Sequence, residues 1–405
     1  MVSQIFKSSL IYSIGRVLPQ AISFILLPVY TSYISKGDYG IVNSMQVFSA
    51  VLMLFLTFAL DRGVLRLYYD YDAESDRKKF LGTISISIFT ISFIVIAVTF
   101  YLQNFSYLLF NSISFYPYFV ITLSTTFLQT FSLLPLIFLQ IKKKPVLYTM
   151  LSLGNFIVGL ILTLHFIINL NQGAYGMLKA LFITSLVVVP FYIYISFKNF
   201  SFSFDIKYLK KTLAFTLPMV PTLIASWLLN LSDRIFLEKF FNLEEVGLYS
   251  LGAKISGLII IVFSAFQVAY SPYFYELAKD TKNKSQLVLI NNIILKLFCF
   301  VAFLLCIFSK ELIQYFFKPV YYDSINVINI LGLFSVISVF LGVLNLSYYQ
   351  AKATLALMYI LLVGSAVNLG LNYILIPTYS YIGASVATVF SFLLMFIIQL
   401  YYSKK

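Results

Sequence analysis

Cationic side chains fall inside stretches that are otherwise apolar: Arg16, Lys179, Arg234, Lys254 and Lys296. Two acids accompany them, Asp61 near the end of one apolar stretch and Asp233 directly beside Arg234. A charge at the centre of a bilayer costs about 2.5–3.5 kcal/mol on insertion scales, so residues of this kind mark a function by default. A net-cationic interior of low dielectric is suited to binding an anion, and a phosphate above all. Lysine offers a point charge, and arginine a planar fork that grips two phosphate oxygens. The acids are candidates for a coupling ion, H+ or Na+, or for a charge pair with Arg234. His165 is the only histidine and reads as a buried polar filler rather than a proton relay. Cys299 and Cys306 lie two helical turns apart, about 10 Å, which is too far for a disulfide. There is no P-loop, nucleophile elbow, metal-ligand cluster or pair of carboxylates deep in a helix. Neither an enzyme nor a cofactor is expected.

Helical spacing shows which of these residues share a face. Ser9, Ser13, Arg16, Gln20 and Ser23 follow steps of four and three, one face of a 3.6-residue helix. Thr222, Ser226, Asn230 and Arg234 step by four, with Asp233 adjacent. Ser250, Lys254, Gly257 and Ser264 form a third stripe. A polar stripe in lipid must meet protein or water, so Gln20, Ser23, Ser226 and Asn230 are expected to line a cavity with the cations. Asp233 and Arg234 point about 100° apart as helical neighbours, a poor geometry for pairing. Pro19, Pro28, Pro218 and Pro221 fall in the same two helices and predict bends there.

The elements that carry these stripes are membrane helices. Sixty per cent of the 405 residues are hydrophobic and 11% are charged, more apolar surface than a soluble domain of this size can bury. A spanning helix needs about 20 apolar residues. Twelve stretches qualify: 9–35, 41–60, 80–101, 116–139, 145–170, 174–197, 213–236, 246–273, 287–309, 325–348, 355–376 and 381–402. Arginine and lysine crowd the loops that are cytoplasmic if the N-terminus is inside, from Arg62–Lys79 through Lys142–Lys144 to Lys279–Lys284. The opposite side holds only Lys36, Lys239, Lys310 and Lys318. The positive-inside rule therefore predicts both termini in the cytoplasm. It also accounts for most of the net charge of +13 without a nucleic-acid partner.

The pattern occurs twice. Gly40 in Asp-Tyr-Gly and Gly247 in Glu-Val-Gly each precede a long apolar helix, and the same offset separates Tyr175-Gly176 from Ile382-Gly383. Gln140 with Lys142 and Gln350 with Lys352 close the fourth helix of each half. The expected architecture is an all-α integral membrane protein of about 12 transmembrane helices. It has two pseudo-symmetric six-helix lobes around a central cavity, as in many transporters. Residues 1–198 form the N-lobe, 199–212 a cytoplasmic linker and 213–405 the C-lobe. Short outer loops leave no room for a folded catalytic domain of a polymerase.

Three segments carry a family resemblance: Tyr39-Gly40, the run LSDRIFLEKFFNLEEVGLYSLGAKIS at 231–256, and NLGLNYILIPTYSYIGASVAT at 368–388. The chain resembles the Wzx-type flippases of O-antigen and capsule repeat units, in the multidrug/oligosaccharidyl-lipid/polysaccharide exporter superfamily. Gly15-Arg16-Val17-Leu18 is also similar to the first-helix motif of lipid II flippases. The resemblance implies alternating-access movement of an undecaprenyl-pyrophosphate-linked oligosaccharide from the cytoplasmic to the outer leaflet of a bacterial inner membrane. It implies membrane lipids, a polysaccharide polymerase and glycosyltransferases as partners. The alternative is a cation-coupled drug or metabolite exporter of the same superfamily. Those generally carry an acid in helix one, where this chain has Arg16.

Overall fold

The computed structural model describes residues 2–278 and 284–403; the side chains of residues 2–10, Ser13, Arg16, Phe105, Leu108, Ala269 and Lys284 lie outside that description. The chain folds into helices: α1 (Val2–Ile25), α2 (Leu27–Tyr33), α3 (Lys36–Thr57), α4 (Leu60–Leu67), α5 (Glu74–Tyr101), α6 (Val120–Ile141), α7 (Pro145–Leu164), α8 (Gly173–Asn199). There follow α9 (Ile206–Thr216), α10 (Val220–Phe240), α11 (Leu243–Ser256), α12 (Leu258–Leu277), α13 (Lys284–Ile307), α14 (Ser309–Phe316), α15 (Ser324–Gln350) and α16 (Thr354–Ser403). Among the described residues, 10 helical stretches are long and apolar enough to cross a membrane.

The prolines mark where expected spans divide. The first expected span, 9–35, is interrupted between Ile25 and Leu27, just before Pro28. The seventh is divided at Leu217–Met219, around Pro218, into α9 and α10. Helix α16 is 50 residues long, about 75 Å at 1.5 Å per residue, against a hydrocarbon core of about 30 Å. It is broken at Ser380, where φ is 48°. That break falls in the gap between the two spans expected at 355–376 and 381–402.

The repeat read from the sequence has matching caps. Ser35 caps α3: its hydroxyl accepts the Asp38 N–H at 2.9 Å, and the Ser35 N–H reaches the Asp38 carboxylate at 3.4 Å, the reciprocal pair of a capping box. Asn242 caps α11 by accepting the Glu245 N–H at 3.0 Å. The fourth helix of each half ends alike. Lys143 (φ 52°) and Lys352 (φ 57°) are left-handed, and the Lys144 and Ala353 N–H groups reach back to the Leu139 and Tyr348 carbonyls, both at 2.9 Å. These are Schellman closures with lysine where glycine is usual. The Gln-x-Lys repeats thus fall at helix stops, where a positive residue suits the C-terminal end of the helix dipole.

Internal contacts gather the chain into two compact units. The first comprises 1–26 and 44–224, the second 27–43 and 225–405. In the first unit α1 packs on α7, and α6 packs on α5, α7 and α8. Its best-buried core joins α4, α5 and α6 through Leu60, Val64, Phe80, Ile84, Leu134 and Phe138. Residues 199–212, expected as a cytoplasmic linker, hydrogen-bond into it. The Ser201 N–H donates to the Lys78 carbonyl at 3.0 Å and the Thr83 hydroxyl to the Ser203 carbonyl at 3.0 Å. Helix α9 then packs on α4 and α5. In the second unit α15 is central and packs on α11, α12, α13, α14 and α16.

The second unit also holds the crossing of the two repeat-related helices. A Cβ on Gly40 of α3 would overlap the Leu243 carbonyl of α11, and one on Gly247 of α11 would overlap the Lys36 carbonyl of α3. The contact is reciprocal, residue for residue, across the repeat. Only glycine allows backbones so close. Lys36 and Glu244 flank it with an ion pair of 3.3 Å, and the Lys318 ammonium donates to the Ser32 carbonyl at 2.6 Å.

Candidate functional site

In the second unit the stripe on α10 is tied together turn by turn. The Asn230 amide donates to the Ser226 carbonyl at 2.7 Å, and the Arg234 guanidinium donates to the Asn230 carbonyl at 2.8 Å. The same Nη1 reaches Asp233 Oδ1 at 2.8 Å. Helical neighbours do diverge, as expected, but the long arginine side chain folds back far enough to close the pair. Asp233 is 3% exposed, and both of its carboxylate oxygens are engaged. Oδ1 also takes the Arg234 backbone N–H at 3.0 Å, and Oδ2 takes the Tyr249 hydroxyl from α11. The Arg234 guanidinium stands 5.3 Å from the Tyr249 ring centre. A buried carboxylate needs such partners, and the arginine charge is correspondingly balanced.

Lys254 of α11 is placed differently. Its ammonium lies 4.9 Å from the ring centre of Tyr39 on α3. Tyr39 is buried, with its ring edge-on to Tyr321 at 6.5 Å. Among the described residues no carboxylate pairs with Lys254. A desolvated cation–π contact is worth about 2 kcal/mol; it steadies the ammonium without cancelling its charge. Lys296, on α13, is exposed, as is Asn292 on the same face.

In the first unit Lys179 sits between rings, 4.9 Å from Phe166 and 5.6 Å from Tyr175. Asp61 lies in the first turn of α4 and pairs with Arg62 at 3.5 Å, where a negative charge suits the helix dipole. Gln20 is exposed and Ser23 half-buried on α1. The backbone of Arg16 belongs to α1, and its side chain lies outside the described residues. His165, read as a buried filler, is instead exposed at the end of α7, with Nδ1 3.0 Å from the Asn169 amide nitrogen. The chain turns just beyond it, at Asn171 with φ 49°.

Sequence reasoning placed Arg234, Asp233, Lys254, Ser226 and Asn230 on α10 and α11 but missed the aromatic partners. Tyr39 immediately precedes Gly40 and Tyr249 closely follows Gly247, so the repeat motif contained both. Glu238, 2% exposed on α10, was also missed, because it lies beyond the apolar stretch expected to end at Phe236.

At the loop end of the first unit Asp70 lies outside the spanning stretches and anchors a polar cluster. Asp70 accepts from Lys211 of α9 at 3.0 Å and from Arg66 of α4 at 2.6 Å. These hydrogen bonds, Lys211 first, hold the Asp70 carboxyl below the usual carboxylate range.

The chain matches the family described as "Polysaccharide biosynthesis protein" over residues 5–278. It is 24% identical over 285 residues to an Lsg locus protein of Haemophilus influenzae, covering 69% of this chain and 68% of that one. It is 22% identical over 420 residues to the uncharacterized membrane protein MJ1068 of Methanocaldococcus jannaschii, covering 96% and 82% respectively. Its fold is similar to that of the lipid II flippase MurJ in an inward closed conformation. The TM-score is 0.79 at 17% identity, over 98% of this chain and 88% of that one. A multidrug resistance MATE family transporter of the MOP superfamily, inward-facing, gives 0.66 at 16% identity, over 96% and 98%. At such identities the likeness is one of fold. These structural neighbours are, by name, a flippase and a transporter, not enzymes.

Proposed function

Because this chain belongs to the polysaccharide biosynthesis protein family, we propose that it is a flippase for undecaprenyl-pyrophosphate-linked oligosaccharide repeat units. It is a multi-pass membrane protein with the fold of the MOP superfamily. The repeat units would be those of O-antigen, capsule or exopolysaccharide. They would cross from the cytoplasmic to the outer leaflet of the bacterial inner membrane by alternating access, with both termini of the protein in the cytoplasm. The polymerase and glycosyltransferases of the same pathway are the proposed protein partners.

One observation carries the reading: Lys254 is held on the Tyr39 ring, and among the described residues no carboxylate pairs with it. An ammonium kept in place within apolar surroundings attracts an anion strongly, and the pyrophosphate is the charged part of the proposed cargo. The ring orients the lysine and leaves its N–H groups to the ligand. Arg16, Lys179 and Lys296 are the further cations proposed to meet the pyrophosphate. Arg234 supports the site through its pairing with Asp233, and Asp233 and Asp61 are the acids proposed for coupling or charge balance. A cationic drug would be repelled by this arrangement, which disfavours the exporter alternative.

The reading is tested in cells by surface polysaccharide. Lys254→Ala and Arg16→Ala are expected to abolish export at near-normal protein level, with Lys254→Arg retaining much of it. Normal export by both alanine variants would end the pyrophosphate-clamp idea.

A further inference from the structure

The first unit contains a cavity of about 420 Å³ between α3, α6 and α8, within the range of about 300–1,000 Å³ typical of small-molecule sites. Gln46, Ser49, Thr122, Thr125 and Gln129 supply its polar wall, and Met45, Met53 and Leu178 its apolar one. A second cavity of about 160 Å³ adjoins it at Gln129 and adds Ser152, Asn155, Ser185 and Tyr192 from α7 and α8. Neither lining contains Asp, Glu, Lys, Arg or His.

These groups lie near the middle of their spans. Gln46 is central in Lys36–Thr57, Gln129 in Phe115–Ile141 and Asn155 in Pro145–Asn169. The hydroxyls are locally engaged: Thr125 donates to the Ile121 carbonyl and Ser132 to the Gln129 carbonyl, both at 2.7 Å. Ser49 and Thr126 share a hydrogen bond of 2.8 Å. Each such oxygen keeps acceptor capacity. The amides differ. Among the described residues, those of Gln46, Gln129 and Asn155 make no hydrogen bond to protein. Gln46 and Asn155 are exposed and Gln129 half-buried along the cavity walls; at hydrocarbon depth a polar amide must meet water or a ligand, so these three are open to either.

We propose that this double cavity is a subsite for electrically neutral sugar rings, hexose or N-acetylhexosamine, of the transported oligosaccharide. The proposal rests on the flippase reading and adds a place for the sugar apart from the charged cluster of the second unit. A pyranose alternates hydroxyls with C–H faces. Amides that both donate and accept meet the former, and methionine, leucine and the Tyr192 ring meet the latter. Each amide also fits an acetamido group. A uronate or other ionised sugar would bring a carboxylate to a wall that has no cation for it, at a steep desolvation cost. The cavity therefore selects by charge as well as by hydroxyl pattern.

The test uses the purified full-length chain in detergent and saturation-transfer NMR. The probes are maltose, diacetylchitobiose and a glucuronate-containing disaccharide. Both neutral sugars are expected to receive saturation, and the glucuronate probe none. Gln46→Leu/Gln129→Leu, which keeps side-chain bulk and removes both amides, is expected to bind the neutral probes about tenfold more weakly. Asn155→Leu, at the far end, serves as an independent variant should the double one fail to fold. Equal binding of the neutral probes by folded variants, or equal saturation of the glucuronate probe, overturns the proposal. A parallel liposome assay separates the two readings. Full-rate flipping by the folded double variant overturns the sugar subsite and leaves the flippase standing. Amide-dependent binding of maltose by a protein that flips no lipid-linked sugar upholds the subsite and ends the flippase reading.

Discussion

Arg234 and Lys254 come from one unit and one kind of reading, yet their surroundings assign them different work. Arg234 neutralises Asp233, which is buried and held also by Tyr249. Removing one partner of a buried pair costs about 3–5 kcal/mol, because the other charge is left unpaired. Arg234→Ala is therefore expected to lower thermal stability and transport together, with part of the stability recovered in Arg234→Gln/Asp233→Asn. Lys254→Ala loses a cation–π contact of about 1–2 kcal/mol at a half-buried position and should lose transport with a much smaller shift in melting. Melting curves in detergent alongside export measurements check both. Equal destabilisation by the two single alanine variants would contradict the division. The charges were legible in the sequence because a cation in an apolar run is conspicuous and helical spacing gives its face. Their partners were not. Tyr39 approaches Lys254 across a helix crossing, and no periodicity on one helix reveals what another brings to it.

The elements were legible where the chain itself sets the boundary. Prolines, polar gaps and the Gln-x-Lys stops mark breaks that the structure shows at Pro28, Pro218, Ser380, Lys143 and Lys352. The central segment, expected as a cytoplasmic linker, has a polar, basic composition that hides a packing face. Thr212 and Thr216 are buried against Gly63 of α4, a fit between small groups that hydropathy does not register. The docking of α9 is also expected to depend on pH. The Asp70 carboxyl is held low by Lys211 and Arg66. Its contribution is present above the ordinary carboxylate pKa of about 3.9 and is lost as pH falls through the lowered folded value. Protection factors of the α9 amides, corrected for the intrinsic pH dependence of exchange, should be high at neutral pH and lower in strong acid, and Asp70→Asn should abolish that difference. An unchanged acid dependence in Asp70→Asn would place the sensitive group elsewhere.

At the scale of the whole molecule the repeat is the organising fact. The glycines first noticed as an offset in sequence, Gly40 and Gly247, are the residues at which the two opening hairpins cross, each under a carbonyl of the other helix. What sequence could not supply was the division of the chain into units, since 27–43 belongs with 225–405 and 199–224 with the preceding helices. Those exchanges depend on tertiary contacts, although two of the three boundaries, 26/27 and 224/225, fall near Pro28 and Pro221. If transport requires this crossing to part, a short chemical cross-link between cysteines placed at Lys36 and Glu244 should stop it, and reduction should restore it. Undiminished flux with the link in place would exclude the crossing as a gate.

The central claim is movement of a pyrophosphate-linked oligosaccharide between leaflets, and reconstitution tests it most directly. The protein would be placed in liposomes with a fluorescent undecaprenyl-pyrophosphate oligosaccharide, with and without H+ or Na+ gradients. Accessibility of the sugar to a lectin or hydrolase would be followed over time. The account predicts protein-dependent transfer that Lys254→Ala loses. Transfer no faster than in protein-free liposomes under every gradient, or equal transfer by wild type and Lys254→Ala, would contradict it.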